Sequence, residues 1–234
     1  MTKLRSVSIS LASRECSTHL LQALDQSLIN LASKSDGLNN ATNGTAASLT
    51  SSNNFINFCA NKVLTNGQQI KTGSCSPIPM GDIPSTDKMP SCKFVNPPNF
   101  STLKSNTTFT LALAVKNMIM GNFVNPDKNY YAAPQQLDQT GGIIGHTHFV
   151  VEQLDSITST QPTDPTTFAF FKGIDDKVDE NNQVSTPVTG GLSPGTYRIS
   201  TITTTANHAA VNGAVAQRGS FEDTITVCRS LLLV

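Results

Sequence analysis

The sequence predicts a mainly β protein, an antiparallel β-sandwich of the immunoglobulin-like or jelly-roll type with one N-terminal helix. The first observation is composition: the 234 residues include 24 Ser and 28 Thr, whereas charged residues make up only 14%. Thr favours strands, and Ser favours turns. The second observation is that six segments after residue 106 have strand-like apolar patterns and are separated by turn residues. No helical pattern lies between these segments, which favours a sandwich over an α/β fold.

The first predicted strand, TTFTLALAVKNM, shows the clearest alternation. Its residues Phe109, Leu111, Leu113 and Val115 lie on one face. The other five segments are GIIGHTHFVVEQL at 142–154, TTFAFFKG, VSTPVTG, GTYRISTITTT and DTITVC. By contrast, residues 66–98 contain six prolines, and we expect them to follow the surface in extended form rather than to form central strands.

The N-terminal part differs from the rest in its pattern. Residues 17–33 place five Leu residues at helical spacing, which predicts a helix, and a Ser-, Asn- and Gly-rich linker follows. We therefore expect residues 1–45 to lie outside the core and residues 46–228 to form the β-sandwich. Residues 229–234 form an apolar tail.

Charge and hydropathy limit the classes of partner. Sixteen basic residues balance sixteen acidic ones, so the chain lacks the basic excess that nucleic-acid binding requires. No apolar run is long enough for a membrane span, and the N-terminus lacks an intact signal peptide. We expect neither a nucleic-acid partner nor a membrane span.

The chain contains five cysteines and no C-x-x-C motif. Cys59 and Cys75 lie on either side of a polar, turn-rich segment. A disulfide between them would close a loop of about 16 residues and stabilise the fold by about 3 kcal/mol. The alternative is two separate buried thiols.

The sharpest candidate site is His146-Thr147-His148 within a predicted strand. Residues two apart on a strand share a face, so His146, His148 and Glu152 project together. His208 follows another predicted strand and is the natural third histidine. Imidazole ligands suit zinc or copper, so a transition-metal site is one interpretation. In the other, the histidines form a solvated strand face or hydrogen-bond nearby loops.

A second candidate is a ligand subsite at Tyr130 and Tyr131. The chain has no Trp, so this tyrosine pair is the best candidate platform for a sugar ring. We expect Phe123, Phe168, Phe170 and Phe171 to fill the core instead.

Several blocks of sequence resemble a family of small secreted proteins of mushroom-forming fungi, which has no assigned activity and is sometimes mislabelled as a ribosomal protein. The blocks are SSNNFINFC, TNGQQIKTGSCSPIPMGDIPS, GNFVNPDKNYYAAPQQLD, GHTHFVVEQLDS, PTDPTTFAFFKG and GLSPGTYRIST. The resemblance covers residues 46–227 and implies secretion and a Cys59–Cys75 pair, with Cys16, Cys92 and Cys228 incidental. Separately, H-x-H-x-x-x-E resembles the first metal-binding motif of cupins.

Two functions follow as expectations. The favoured one is a secreted fungal extracellular or cell-surface protein without enzymatic activity, with cell-wall or extracellular-matrix partners and a transition-metal site for zinc or copper. The alternative is a cupin-like metal-dependent enzyme that uses His146, His148 and Glu152.

Overall fold

The computed structural model describes residues 24–35, 39, 49–68, 76–126, 130–131 and 133–230. The chain divides into two compact units, Met1–Asn61 and Lys62–Val234. Every strand found among the described residues belongs to the second unit. Among the same residues, no helix is both long enough and apolar enough to cross a membrane.

The second unit contains two β-sheets. In chain order the strands are β1 Ser91–Asn96, β2 Thr102–Lys104, β3 Phe109–Lys116, β4 Met118–Ile119, β5 Ile143–Leu154, β6 Phe170–Ile174, β7 Gln183–Val188, β8 Gly195–Thr205 and β9 Thr224–Ser230. The smaller sheet is antiparallel, in the order β1-β3-β7. The larger sheet has the order β2-β9-β8-β5, and both β4 and β6 pair with the edge of β5 that faces away from β8. The β2–β9 and β4–β5 pairs are parallel, so this sheet is mixed.

A hydrophobic core joins the two sheets. Leu111 and Leu113 of β3 are fully buried, as are Phe149 and Val151 of β5. All four belong to one cluster, to which β1, β7, β8 and β9 also contribute side chains. Alternate residues of these strands therefore face the opposite sheet, and the predicted β-sandwich class is confirmed.

The six strands predicted from the apolar patterns correspond to β3, β5, β6, β7, β8 and β9. The prediction missed β1, β2 and β4. β1 begins immediately after Pro90 and ends immediately before Pro97, and it lies at the edge of the smaller sheet. This placement agrees with the expectation that the proline-rich stretch contributes no central strand, because proline has no backbone N–H to donate to a strand ladder.

The described part of the first unit contains short 3₁₀ helices at Gln26–Leu28 and Leu31–Lys34. The predicted helix at 17–33 is therefore not continuous over residues 24–33, and its first seven residues lie outside the described part. The side chains of Asp25 and Asn30 accept hydrogen bonds from Ser27 N and Ala32 N. Each acceptor caps a new short turn, which explains why one long helix does not form here.

The cysteines divide into two groups. Cys92 and Cys228 carry free thiols, and burial raises the pKa of Cys92 to about 11. Cys59 is buried, but Cys75, its predicted partner, lies outside the described residues, as does Cys16. The Cys59–Cys75 pairing therefore stays a prediction. The apolar tail is described only as far as Ser230, the last residue of β9.

Candidate metal centre

Strand β5 is buried on both of its faces. Phe149 and Val151 face the core, whereas His146 and His148 face the other way and are only 0% and 8% exposed. The chain after β4, residues 121–126, lies over this outer face and is called the covering segment below. Its Asn122 N donates to Gly145 O at 3.3 Å, and its Val124 N donates to Ala206 O at 3.1 Å. The two histidines are therefore not a solvated strand face.

His208 reaches the same place through a tight turn after β8. Its backbone has a φ of +68°, and its N donates to Thr205 O at 3.0 Å. The turn is closed further because Ala209 N donates to the hydroxyl of Thr205 at 3.1 Å. This left-handed conformation returns the chain over the sheet, so that the imidazole of His208 lies beside that of His146.

The three imidazoles form one cluster. His146 Nε2 lies 3.1 Å from His208 Nδ1, and each of the three rings offers a nitrogen within 4.8 Å of the other two. Within the described part of the chain, this is the only group of three or more His, Cys, Asp or Glu residues close enough to hold one metal ion. The structure thus brings together His146, His148 and His208 as the candidate ligands.

Backbone carbonyls determine which ring nitrogen carries the proton in each histidine. His146 Nδ1 donates to Asn122 O at 3.0 Å, His148 Nδ1 donates to Ile202 O at 3.3 Å, and His208 Nε2 donates to Val124 O at 2.7 Å. A carbonyl oxygen only accepts, so these nitrogens must be protonated in the neutral rings. The remaining nitrogens, which include His146 Nε2 and His208 Nδ1, then carry lone pairs.

Burial also keeps two of these rings uncharged. Desolvation lowers the pKa of His146 to about 4, although the Asn122 carbonyl acts in the opposite direction. Desolvation likewise lowers the pKa of His148. Neutral imidazole is the form that coordinates a metal ion, so these two rings are ready for coordination at neutral pH.

Phe123 of the covering segment packs against all three imidazoles. Its ring centroid lies 4.4 Å from that of His146, 5.9 Å from that of His148 and 4.9 Å from that of His208. The ring fits because residue 173 of β6 is a glycine: a Cβ there would lie 2.6 Å from Phe123 Cε2. The prediction had placed Phe123 in the core, whereas its ring lines the histidine cluster.

Glu152 does not join the histidines, although it shares their strand face. Its Oε2 forms an ion pair with Arg198 at 2.7 Å, and its Oε1 accepts a hydrogen bond from the Thr163 hydroxyl. Four residues of a strand span about 13 Å, so the carboxylate lies too far along β5 from His148 to share a metal ion. Its contacts orient it toward the other end of the strand.

A cavity of about 500 Å³ lies beside the cluster. His148 and His208 line it, whereas His146 does not. Tyr130 and Tyr131 stack on each other in its wall with centroids 4.0 Å apart, and Tyr130 also stacks on His208 at 5.9 Å. Burial, the leading cause, raises the pKa of Tyr130 to about 12, so its hydroxyl stays protonated. The tyrosine pair predicted as a ligand subsite thus adjoins the candidate metal centre.

Glu222 lines the same cavity and was missed by the sequence analysis. Its carboxylate accepts hydrogen bonds from Thr203 N at 2.9 Å, from the Thr203 hydroxyl at 2.8 Å and from the Thr201 hydroxyl at 2.6 Å. The residue precedes β9 in an irregular loop, where no periodic pattern indicates which side chains converge.

A second cavity, of about 520 Å³, lies around Glu152 and Arg198. Phe168 and Phe171 line it and are about half exposed, at 53% and 46%, so the prediction that they fill the core was wrong. Phe170 alternates to the inner side and packs against the core cluster as predicted. Phe171 also lines the first cavity, where its ring lies 5.2 Å from that of His148.

Comparison with known proteins finds a matching family model and a fungal relative. A family model described as the CLU5d N-terminal domain matches residues 92–229. Pathogenicity cluster 5 protein d of Colletotrichum graminicola is 42% identical over 181 residues, which cover 77% of this chain and 38% of that protein. The chain thus spans well under half of that relative's length. Neither finding supports the mushroom-forming-fungus family or the cupin pattern expected above.

Proposed function

The chain belongs to the CLU5d N-terminal domain family, and we propose that it binds one zinc or copper ion through His146, His148 and His208. In this proposal it is a domain of a fungal protein that acts outside the cell. Its role is binding rather than catalysis, and its partners are cell-wall or extracellular-matrix components.

The observation that carries the proposal is the close contact between the two ring nitrogens that do not face a carbonyl. His146 Nε2 and His208 Nδ1 lie 3.1 Å apart, and the other nitrogen of each ring donates to the carbonyl of Asn122 or Val124. The Thr204 hydroxyl can donate to His146 Nε2 at 3.0 Å, and among the described side chains that of His146 is the partner of His208 Nδ1. Two neutral rings in these tautomers face each other with lone pairs, which repel unless a proton or a metal ion lies between them.

A metal ion satisfies this geometry. Zinc–nitrogen bonds of about 2.0–2.1 Å at a tetrahedral angle place two ligand nitrogens about 3.3–3.4 Å apart. The separation of 3.1 Å is close to this value. The third ring, that of His148, offers a nitrogen within 4.8 Å of both others. Because ligands of one zinc ion lie about 3.3–3.4 Å apart, the His148 ring would have to move about an ångström closer to complete the set.

The surroundings of the cluster resemble those of established metal sites. Metal-binding histidines donate their second ring nitrogen to a carbonyl or carboxylate, which fixes the tautomer and orients the ring. All three histidines have such a carbonyl partner. Copper and zinc both favour imidazole. The cluster contains no thiolate, which would favour a softer ion, and no carboxylate, which would favour a harder one.

The extracellular location is supported by composition and by the name of the relative. The chain is rich in Ser and Thr and poor in charge, and the relative is named for a pathogenicity cluster of a fungus. Expressing the full natural gene in a fungal host and probing cells and culture filtrate separately tests this part. Retention of all the protein in the cells would contradict it.

The metal site is tested by adding zinc or copper to chelator-treated protein at pH 7.5. Binding to the folded state at 100 times the dissociation constant stabilises by about 2.7 kcal/mol, which raises the melting temperature by roughly 5–10 °C in a chain of this size. His208→Ala should abolish the rise. Elemental analysis of the purified protein should find close to one ion per chain.

Glu152→Gln is the matched control. It removes the charge of a carboxylate on the same strand face but should leave metal binding unchanged, because Glu152 pairs with Arg198. Loss of metal binding in this variant would favour the cupin-like alternative. No thermal shift with either metal in the unmodified chain would overturn the proposed function.

A further inference from the structure

The ligand set of the proposed metal centre is open on one side. His146 is fully buried, whereas His148 and His208 line the cavity of about 500 Å³. An ion held by all three rings would therefore have its remaining coordination position toward the cavity. Three protein ligands and one open position are the arrangement in which a metal ion coordinates an exogenous molecule.

The walls of this cavity are largely aromatic. The stacked pair Tyr130–Tyr131 forms one wall, and Phe123 and Phe171, which contact His148, contribute the others. A volume near 500 Å³ lies within the range of small-molecule sites. Flat aromatic rings pack against such walls in offset or edge-to-face arrangements.

The charges around the cavity favour an anionic group as the fourth ligand of the metal ion. Three neutral imidazoles leave the two positive charges of a divalent ion, and the carboxylate of Glu222 supplies one negative charge at the cavity wall. Hydrogen bonds from Thr201 and Thr203 hold that carboxylate in place. One positive charge then remains at the site, and a ligand with one anionic oxygen group, such as a carboxylate, would balance it.

We propose that the metal ion held by His146, His148 and His208 coordinates the carboxylate of a small aromatic acid, whose ring occupies the cavity between Tyr130 and Phe171. This inference rests on the proposed metal site and adds the class of ligand. It requires no chemical step, because the acid replaces water on the metal through an exchangeable bond.

The test is titration calorimetry of the full chain loaded with zinc, with benzoate and acetate as probes. Both probes carry a carboxylate that can coordinate the metal, but only benzoate also has a ring that can pack against the aromatic walls of the cavity. We expect benzoate to bind at least about tenfold more tightly than acetate to the zinc-loaded chain. Neither should bind measurably to the metal-free chain.

Two variants and a control separate the ring contact from the metal contact. Ala210 is exposed and lines the cavity, so Ala210→Trp should fill it, abolish benzoate binding and leave zinc binding intact. Phe171→Ala should weaken benzoate binding several-fold with little effect on acetate. Phe168→Ala is the matched control, because Phe168 lines neighbouring cavities but not this one.

The outcomes distinguish this inference from the proposed function. Zinc binding with equal affinities for benzoate and acetate would overturn the inference and leave the metal site standing. Benzoate binding that is unaffected by Ala210→Trp would also overturn it. Absence of zinc binding would overturn both.

Discussion

At the scale of single residues, the imidazole of His146 has the most unusual environment. It is fully buried, and desolvation lowers its pKa to about 4 despite the opposing effects of the Asn122 carbonyl and Asp175. In the unfolded chain its pKa is about 6.5. Between these values the unfolded state binds more protons than the folded state, so the free energy of unfolding falls as the pH falls.

The metal-free protein should therefore lose stability between pH 7 and pH 5. His148, whose pKa burial also lowers, adds to the effect in the same direction. We expect the melting temperature to drop by several degrees over this range. His146→Gln, which cannot titrate, should reduce the slope even if it lowers stability at pH 7. A melting temperature that stays constant from pH 7 to pH 5 would contradict the assignment of a buried neutral histidine.

Residue alternation predicted which two histidines of β5 share a strand face. Side chains two apart on a strand share a face, and His146 and His148 indeed lie together beside His208. Glu152 obeys the same alternation but lies about 13 Å further along the strand from His148, where Arg198 binds it. Alternation therefore predicts a shared face, whereas a shared site also requires that the residues be close along the strand.

At the scale of elements, the covering segment and β6 meet through Phe123 and Gly173. A Cβ at residue 173 would lie 2.6 Å from Phe123 Cε2 and 3.3 Å from His148 Cδ2. Gly173→Ala should thus displace the Phe123 ring from the three imidazoles. Overpacking of this kind costs about 1–3 kcal/mol. We expect a lower melting temperature and about tenfold weaker zinc binding, measured by competition with a chromogenic chelator.

Gly219→Ala is the matched control for this substitution. A Cβ at residue 219 would meet nothing within 4 Å, so stability and zinc affinity should stay near those of the unmodified chain. If Gly173→Ala behaves like Gly219→Ala, Phe123 does not hold the histidine cluster together.

The elements that complete the site carried weak signals in the sequence. The covering segment has no strand or helix pattern, and no periodicity indicates which face of the sheet such a segment will cover. His208 reaches the cluster through a turn at φ +68°, a conformation that histidine adopts uncommonly. The tertiary contact of Val124 O with His208 Nε2 supports it, and such long-range contacts are not visible in local sequence.

At the scale of the whole molecule, the β-sandwich was predictable because apolar residues alternate along the inner faces of its strands. Leu111 and Leu113 in β3 and Ile225 and Val227 in β9 alternate with more exposed residues, as a two-layer fold requires. The short strands β2 and β4 escaped prediction because three and two residues are too few to show a period. Core packing and strand pairing, rather than local pattern, account for them.

The same core predicts that the N-terminal residues are dispensable for folding. Every side chain of the core cluster lies between Phe94 and Val227, and all nine described strands lie within Lys62–Val234. A chain that begins at residue 46, which keeps both Cys59 and Cys75, should therefore retain a β-type circular dichroism spectrum and unfold in one cooperative transition. Its zinc affinity should equal that of the full chain, since the three histidines lie well inside this segment.

A matched deletion of β9, residues 224–234, should abolish cooperative unfolding because it removes a central strand and two core side chains, Ile225 and Val227. Noncooperative unfolding of the chain from residue 46 would show instead that the first 45 residues are needed for the sandwich.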